Sequence, residues 1–191
     1  MIRASFRLAA AILCLAAATA VPAAAGDTAA APSPGAALRA DFLGNFDYTI
    51  GHIRDLAGAI PADKYGWRPG EGVRSVAEVV GHVAAANYFL TSFLGVPMPE
   101  GMTGEDTKET DPAKLRALLD ASVDHVHKVV DGLSDADLDK QVEFFGRKMS
   151  ERAVLLVALG HVHEHLGQLI AYARTNGVVP PWSVAQKGGG S

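Results

Sequence analysis

The chain has 191 residues, of which 49% are apolar, 20% charged and 7% aromatic, with a formal net charge of −4. That length suits one domain of ordinary size, and the composition is globular rather than disordered. The acidic balance argues against a nucleic-acid partner, which calls for a basic face, and a single cysteine, Cys14, excludes a disulfide scaffold.

Arg3 and Arg7 open the chain, followed by the apolar run Leu8 to Val21 and the small-residue stretch Pro22-Ala23-Ala24-Ala25-Gly26. This order is that of a secretory signal peptide over residues 1–25. The apolar run falls short of the ~20 residues a spanning helix needs, so no stable membrane span is expected after cleavage. An uncleaved N-terminal anchor is the alternative. Leu13 precedes Cys14 where a lipoprotein signal would have a small residue. Cleavage after Ala25 leaves 166 residues with no cysteine, carrying 15 basic and 21 acidic side chains. The expectation is an exported protein, periplasmic or extracellular, with no thiolate nucleophile and no cysteine-ligated zinc.

Residues 26–36, rich in Ala, Pro and Gly, read as a flexible linker. A first helix is expected from about Ala37 to Ala59, with Leu38, Phe42, Phe46, Ile50 or Ile53, and Leu56 at helical spacing, ended by Pro61. Asp63 to Gly72 reads as a loop that packs Trp67 inward. Ser75-Val76-Ala77-Glu78 has the pattern of a capping box and opens a second helix that ends near Gly95. After a Gly-rich, acidic loop, Asp111-Pro112 signals the start of a third helix that runs to Leu133. Ser134 begins a short capped turn, Gln141 to Phe145 reads as extended, and Gly146 turns the chain. The last helix is expected from near Ser150 to Thr175, stopped by Asn176-Gly177 and Pro180-Pro181. Residues 184–191 read as a flexible tail. Four long amphipathic helices with two long connections describe an all-α domain, a four-helix bundle over residues 37–183 whose long loops shape a site.

Three of the seven histidines fall in Gly160-His161-Val162-His163-Glu164-His165-Leu166-Gly167-Gln168. At about 100° per residue, His161 and His165 lie about 40° apart on one helix face, and His163 points away. The pair shares its face with Val154, Val157, Ala158 and Tyr172. Two imidazoles at i and i+4 can bind one metal ion, or they can cap polar groups of the core. A catalytic metal site needs a third protein ligand and an open position, and His82 at the border of the second helix is the best candidate, although a lone histidine at such a border is more often a satisfied boundary residue than a ligand. His125 is a spare ligand or outer donor, while His52 and His127 are expected in solvent. Glu164 resembles the general base of zinc proteases, but the order here is H-x-x-E-H and the reading carries little weight.

Trp67-Arg68-Pro69, the run Val73 to Val83 containing His82, and His161-x-x-x-His165-Leu166-Gly167-Gln168 occur in order with a helix between them. Together with the close Asn176 to Ser183, they resemble the DinB family of four-helix-bundle proteins. The resemblance implies a DinB-like fold with a three-histidine metal site of His82, His161 and His165. It further implies a divalent ion, zinc or nickel, that activates water in a hydrolase or a small thiol in a transferase. Gln168 and Tyr172 are expected to support the ligands or touch a small-molecule substrate, and a homodimer is common among such bundles. The competing reading is a non-catalytic exported bundle that binds metal or a small hydrophobic ligand.

Overall fold

Ser33 supplies the first helix cap: its Oγ accepts from the backbone N–H of Ala36 at 3.1 Å, and Pro34 takes the first helical position, where no N–H is needed. Helix α1 therefore spans Pro34–Ala59 and starts three residues before the expected Ala37. The Ser33-Pro34 pair inside the expected linker is itself the start signal. In this computed structural model the described residues are 31–102 and 107–188, with side chains described through residue 184. The expected signal peptide and the linker through residue 30 lie outside the described residues, as do the last three positions of the tail.

Helix α2 spans Val76–Ser92, α3 spans Pro112–Gly132 and α4 spans Glu151–Thr175. Helix α2 packs on α3 and α4, and α1 packs on α4 and α3, which closes a four-helix bundle. Phe46, Ile50 and Ile53 of α1, Val79 and Val83 of α2, Leu115 and Leu119 of α3, and Val162 and Leu169 of α4 meet in one buried core. In the loop between α1 and α2, Trp67 packs against the core as expected but is not the residue that goes deepest. Tyr65 is the fully buried aromatic, its hydroxyl donating to the Ala57 carbonyl, while Trp67 is half-buried. A phenol can hand its one polar atom to an orphan carbonyl of the last helical turn, so Tyr65 takes the interior place.

Between α3 and α4 the chain makes a hairpin rather than one extended piece. Strand β1, Gln141–Phe144, pairs antiparallel with β2, Arg147–Ser150, through a two-residue loop of Phe145 and Gly146. Both loop residues have positive φ, 48° and 74°, as the tight turn between twisted strands requires. The left-handed conformation costs a non-glycine residue about 1–2 kcal/mol. After Pro180 the chain forms a fifth helix, α5, Pro181–Gly188, so the expected tail from residue 184 is helical as far as Gly188. The Trp182 ring at its start meets His52 edge-on at a centroid distance of 4.3 Å.

Candidate metal centre

The phase of α2 is fixed at its first turn. Ser75 Oγ accepts from the Glu78 N–H at 3.3 Å, and Glu78 Oε2 accepts from the Ser75 N–H at 2.7 Å. Hydrogen bonding lowers the Glu78 carboxyl pKa, first through Ser75 and then through Arg68, so the capping charge persists at neutral pH. Seven positions on from the cap, His82 faces α4. Gly81 lets the neighbouring loop approach: a Cβ on it would meet Thr107 Cγ2 at 2.5 Å.

Nε2 of His82 lies 3.0 Å from Nε2 of His161, which lies 3.1 Å from Nε2 of His165. The ligand atoms of these three residues all fall within 4.8 Å of one another, and among the described residues they are the group of this kind. His165 is buried, and His82 and His161 are half-buried. Burial is the main cause that holds the His165 pKa below the ordinary imidazole value, with the Gln168 hydrogen bond opposing it. The ring is thus neutral at pH 7, the form in which imidazole ligates.

A backbone carbonyl fixes the direction of each hydrogen bond behind His165. The Arg74 carbonyl only accepts, so the Tyr172 hydroxyl donates to it, at 3.0 Å. The Tyr172 oxygen then accepts from the Gln168 amide at 2.8 Å, which turns Gln168 Oε1 toward Nδ1 of His165, also at 2.8 Å. Nδ1 must carry the proton, and Nε2 is left with a lone pair directed at the other two rings. Trp67 stands edge-on over Tyr172 at a centroid distance of 5.2 Å and shields this chain of bonds.

With His165 Nε2 unprotonated, neutral rings cannot satisfy both short N···N contacts. A proton on His161 Nε2 serves one neighbour well and leaves the other poorly aligned. A proton on His82 Nε2 leaves two lone pairs facing each other across 3.1 Å. A cation between the three nitrogens satisfies all of them. Tetrahedral zinc bound to nitrogen at ~2.0–2.1 Å would set neighbouring ligands about 3.3 Å apart; the two contacts through His161, at 3.0 and 3.1 Å, are near that value, and all three ligand atoms lie within 4.8 Å of one another. The residues present fit a divalent ion.

The remaining side chains singled out from the sequence lie elsewhere. His125 packs its ring against Tyr88, 5.0 Å between centroids, and stands outside the three-histidine group. His163 lies on the opposite side of α4, 3.1 Å from Thr49 Oγ1 of α1. His127 pairs with Asp47 at 2.7 Å, and His52 is half-buried between Tyr48 and Trp182 rather than free in solvent. Glu164 is exposed. Val154, Ala158 and Tyr172 are buried, but Val157 is 38% exposed, because it borders an open cavity instead of the core. That cavity is lined by His82 and His161 and not by His165, so it opens on one side of the centre. Its aromatic walls on α2 and the hairpin follow no spacing pattern in the sequence. The available signal was Phe145-Gly146, a phenylalanine where a tight turn favours asparagine.

Residues 45–169 match the model of the DinB superfamily, a span that contains all three histidines. YjoA of Bacillus subtilis, described as uncharacterized, is 30% identical over 128 residues, 64% of this chain and 80% of that protein. The crystal structure of YjoA superposes with a TM-score of 0.61 at 23% identity, covering 73% of this chain and 94% of the other. YfiT of Bacillus subtilis, described as a probable metal-dependent hydrolase with an unusual four-helix bundle topology, gives a TM-score of 0.61 at 14% identity over 78% and 92% of the chains. A mycothiol-dependent maleylpyruvate isomerase gives 0.56 at 17% identity, over 69% of this chain and 60% of the other. Identities this low speak for the shared fold alone. On the family match and the likeness to YjoA together, the chain belongs to the DinB superfamily.

Proposed function

We propose that this protein is a metal-dependent enzyme in which His82, His161 and His165 hold one divalent ion and a small-molecule substrate enters from the cavity beside His82 and His161. The observation that carries this reading is the convergence of three Nε2 atoms, one of them with its lone pair fixed by the bonds running from Gln168 to the Arg74 carbonyl. A bound divalent ion supplies Lewis acidity, which makes water or a small thiol nucleophilic near neutral pH. Zinc and nickel both suit neutral imidazoles.

The chain's own residues contribute orientation and exclusion. Gln168 and Tyr172 keep the His165 ring in one tautomer, as outer partners of metal ligands do. The buried side of the centre, behind His165, keeps water out, and the cavity leaves one approach. Three neutral ligands leave the charge of the ion undiminished, which favours an acidic site. Hydrolysis is the first reading. Thiol transfer is the second, favoured because, among the described residues, the cavity walls carry no carboxylate to act as a base and a thiol loses its proton more readily than water. The leader pattern of residues 1–25 supports an exported enzyme that meets its substrate outside the cytosol.

Elemental analysis of the purified protein tests the reading. About one divalent ion per chain is expected in the wild type, with loss in His161→Ala and in His82→Ala. No uptake after incubation with zinc, nickel or manganese overturns it.

A further inference from the structure

The cavity beside His82 and His161 has a volume of about 410 Å³, in the range of small-molecule sites. Its other walls are Ala86, Phe89 and Leu90 of α2, Val157 of α4, and Phe144 and Phe145 of the hairpin. Apart from the two imidazoles, no side chain among the described residues of the lining offers a charge or a hydrogen bond. A charged or sugar-like group would lose its water in this chamber and receive nothing in exchange.

Phe145 is the informative wall. A two-residue hairpin loop with positive φ at both positions is best served by Asn-Gly or Asp-Gly. Here a phenylalanine occupies the strained position at φ 48° and remains 68% exposed. Its ring leans on Phe144, Phe89 and Phe93, with centroids 4.7, 5.9 and 6.0 Å away, and closes the outer side of the chamber. Neither turn chemistry nor burial accounts for an aromatic side chain at this place. Non-ideal backbone of this kind persists where the side chain has a use.

We infer that the chamber binds an uncharged aromatic or branched aliphatic group beside the three-histidine centre, with Phe145 as the residue that sets this specificity. That the bound molecule is a substrate rests on the metal-dependent reading above.

The test is a fluorescence titration of the full chain, without added metal, using the uncharged probe N-phenylnaphthylamine and its anionic relative anilinonaphthalene sulfonate. Saturable binding of the uncharged probe at one site, tighter than that of the anion, is expected. Phe145→Asn should weaken it by about 3- to 10-fold, the worth of one aromatic contact, while raising the melting temperature because asparagine suits the turn. Val157→Trp, which fills the chamber from the opposite wall, should also weaken it. Leu156→Ala, on an exposed part of α4 in a separate groove between α1 and α4, should leave it unchanged. Absence of saturable binding, tighter binding of the anion, or equal losses in Phe145→Asn and Leu156→Ala would each overturn the inference. Metal uptake without probe binding removes the chamber's assignment and leaves the metal centre. Probe binding by a chain that takes up no metal removes the centre and leaves the chamber's ligand class.

Discussion

Gln168 stands one helical turn beyond His165, with its side-chain carbonyl 2.8 Å from the Nδ1 atom and its amide 2.8 Å from the Tyr172 hydroxyl. Replacing Gln168 with Leu removes the acceptor that holds the proton on Nδ1, so either tautomer becomes available to the ring. Metal affinity should fall by about 10- to 100-fold with the helical circular dichroism unchanged. Tyr172→Phe should shift affinity in the same direction by less, since the amide keeps its place on His165. Competition with a chromophoric chelator measures both.

Glu151, at the first position of α4, is buried, and its Oε2 has no hydrogen-bond partner among the described residues. Burial raises its pKa, with the Lys140 ammonium acting in the opposite sense. A carboxyl whose folded pKa is raised contributes stability that is full below its unfolded value of about 4.3 and is lost as pH rises through the folded value. Glu151→Gln should therefore melt at a higher temperature than the wild type at pH 7 and at the same temperature near pH 4. Calorimetry at the two pH values checks it; a Gln variant that is less stable at pH 7 contradicts the sign.

Gly81 is where the loop at Thr107 touches α2, one residue before His82. Gly81→Ala places a Cβ 2.5 Å from Thr107 Cγ2 and 3.4 Å from Leu115 Cδ2, an overpacking that should cost about 1–3 kcal/mol. Thr107→Ser deletes the clashing methyl. The double variant should recover most of the loss and can exceed the wild type, because alanine is a better helix former than glycine by about 1 kcal/mol. Chemical denaturation of the three variants gives the cycle.

Tyr65 donates its hydroxyl to the Ala57 carbonyl in the last turn of α1, and burial pushes the phenol pKa upward, so the donor survives into alkaline solution. Tyr65→Phe leaves that carbonyl without its partner and should cost about 1–2 kcal/mol, or roughly 2–8 °C in melting temperature. A loss this size with metal uptake intact separates its structural role from that of Tyr172.

Elements with local signals were readable from the sequence. Ser75 and Glu78 form both halves of the capping box, Asp111 caps α3 ahead of Pro112, and α4 runs from Glu151 to Thr175 close to the bounds its pattern indicates. Features decided across the bundle were harder to read. His82 sits at the border of an apolar stripe, and nothing on α2 alone states that it meets two rings of α4. Tyr65 and Trp67 lie two positions apart in one loop, and only the neighbouring Ala57 carbonyl decides which goes inside. Val157 belongs to the face of His161 by angle, yet it opens on a cavity because the hairpin stands off from α4 there. The second strand was hidden because Arg147-Lys148-Met149-Ser150 carries little strand propensity and is held by pairing with β1.

The first two histidines of the centre are 79 positions apart in the chain, one on α2 and the other on α4. An ion shared between them would act as a removable cross-link that closes a large loop of the polypeptide and survives only while both helices stay docked. Separation of these helices and release of the ion then become one event. Heat resistance would serve as a gauge of how full the centre is, rising with the logarithm of free metal once the concentration passes the dissociation constant.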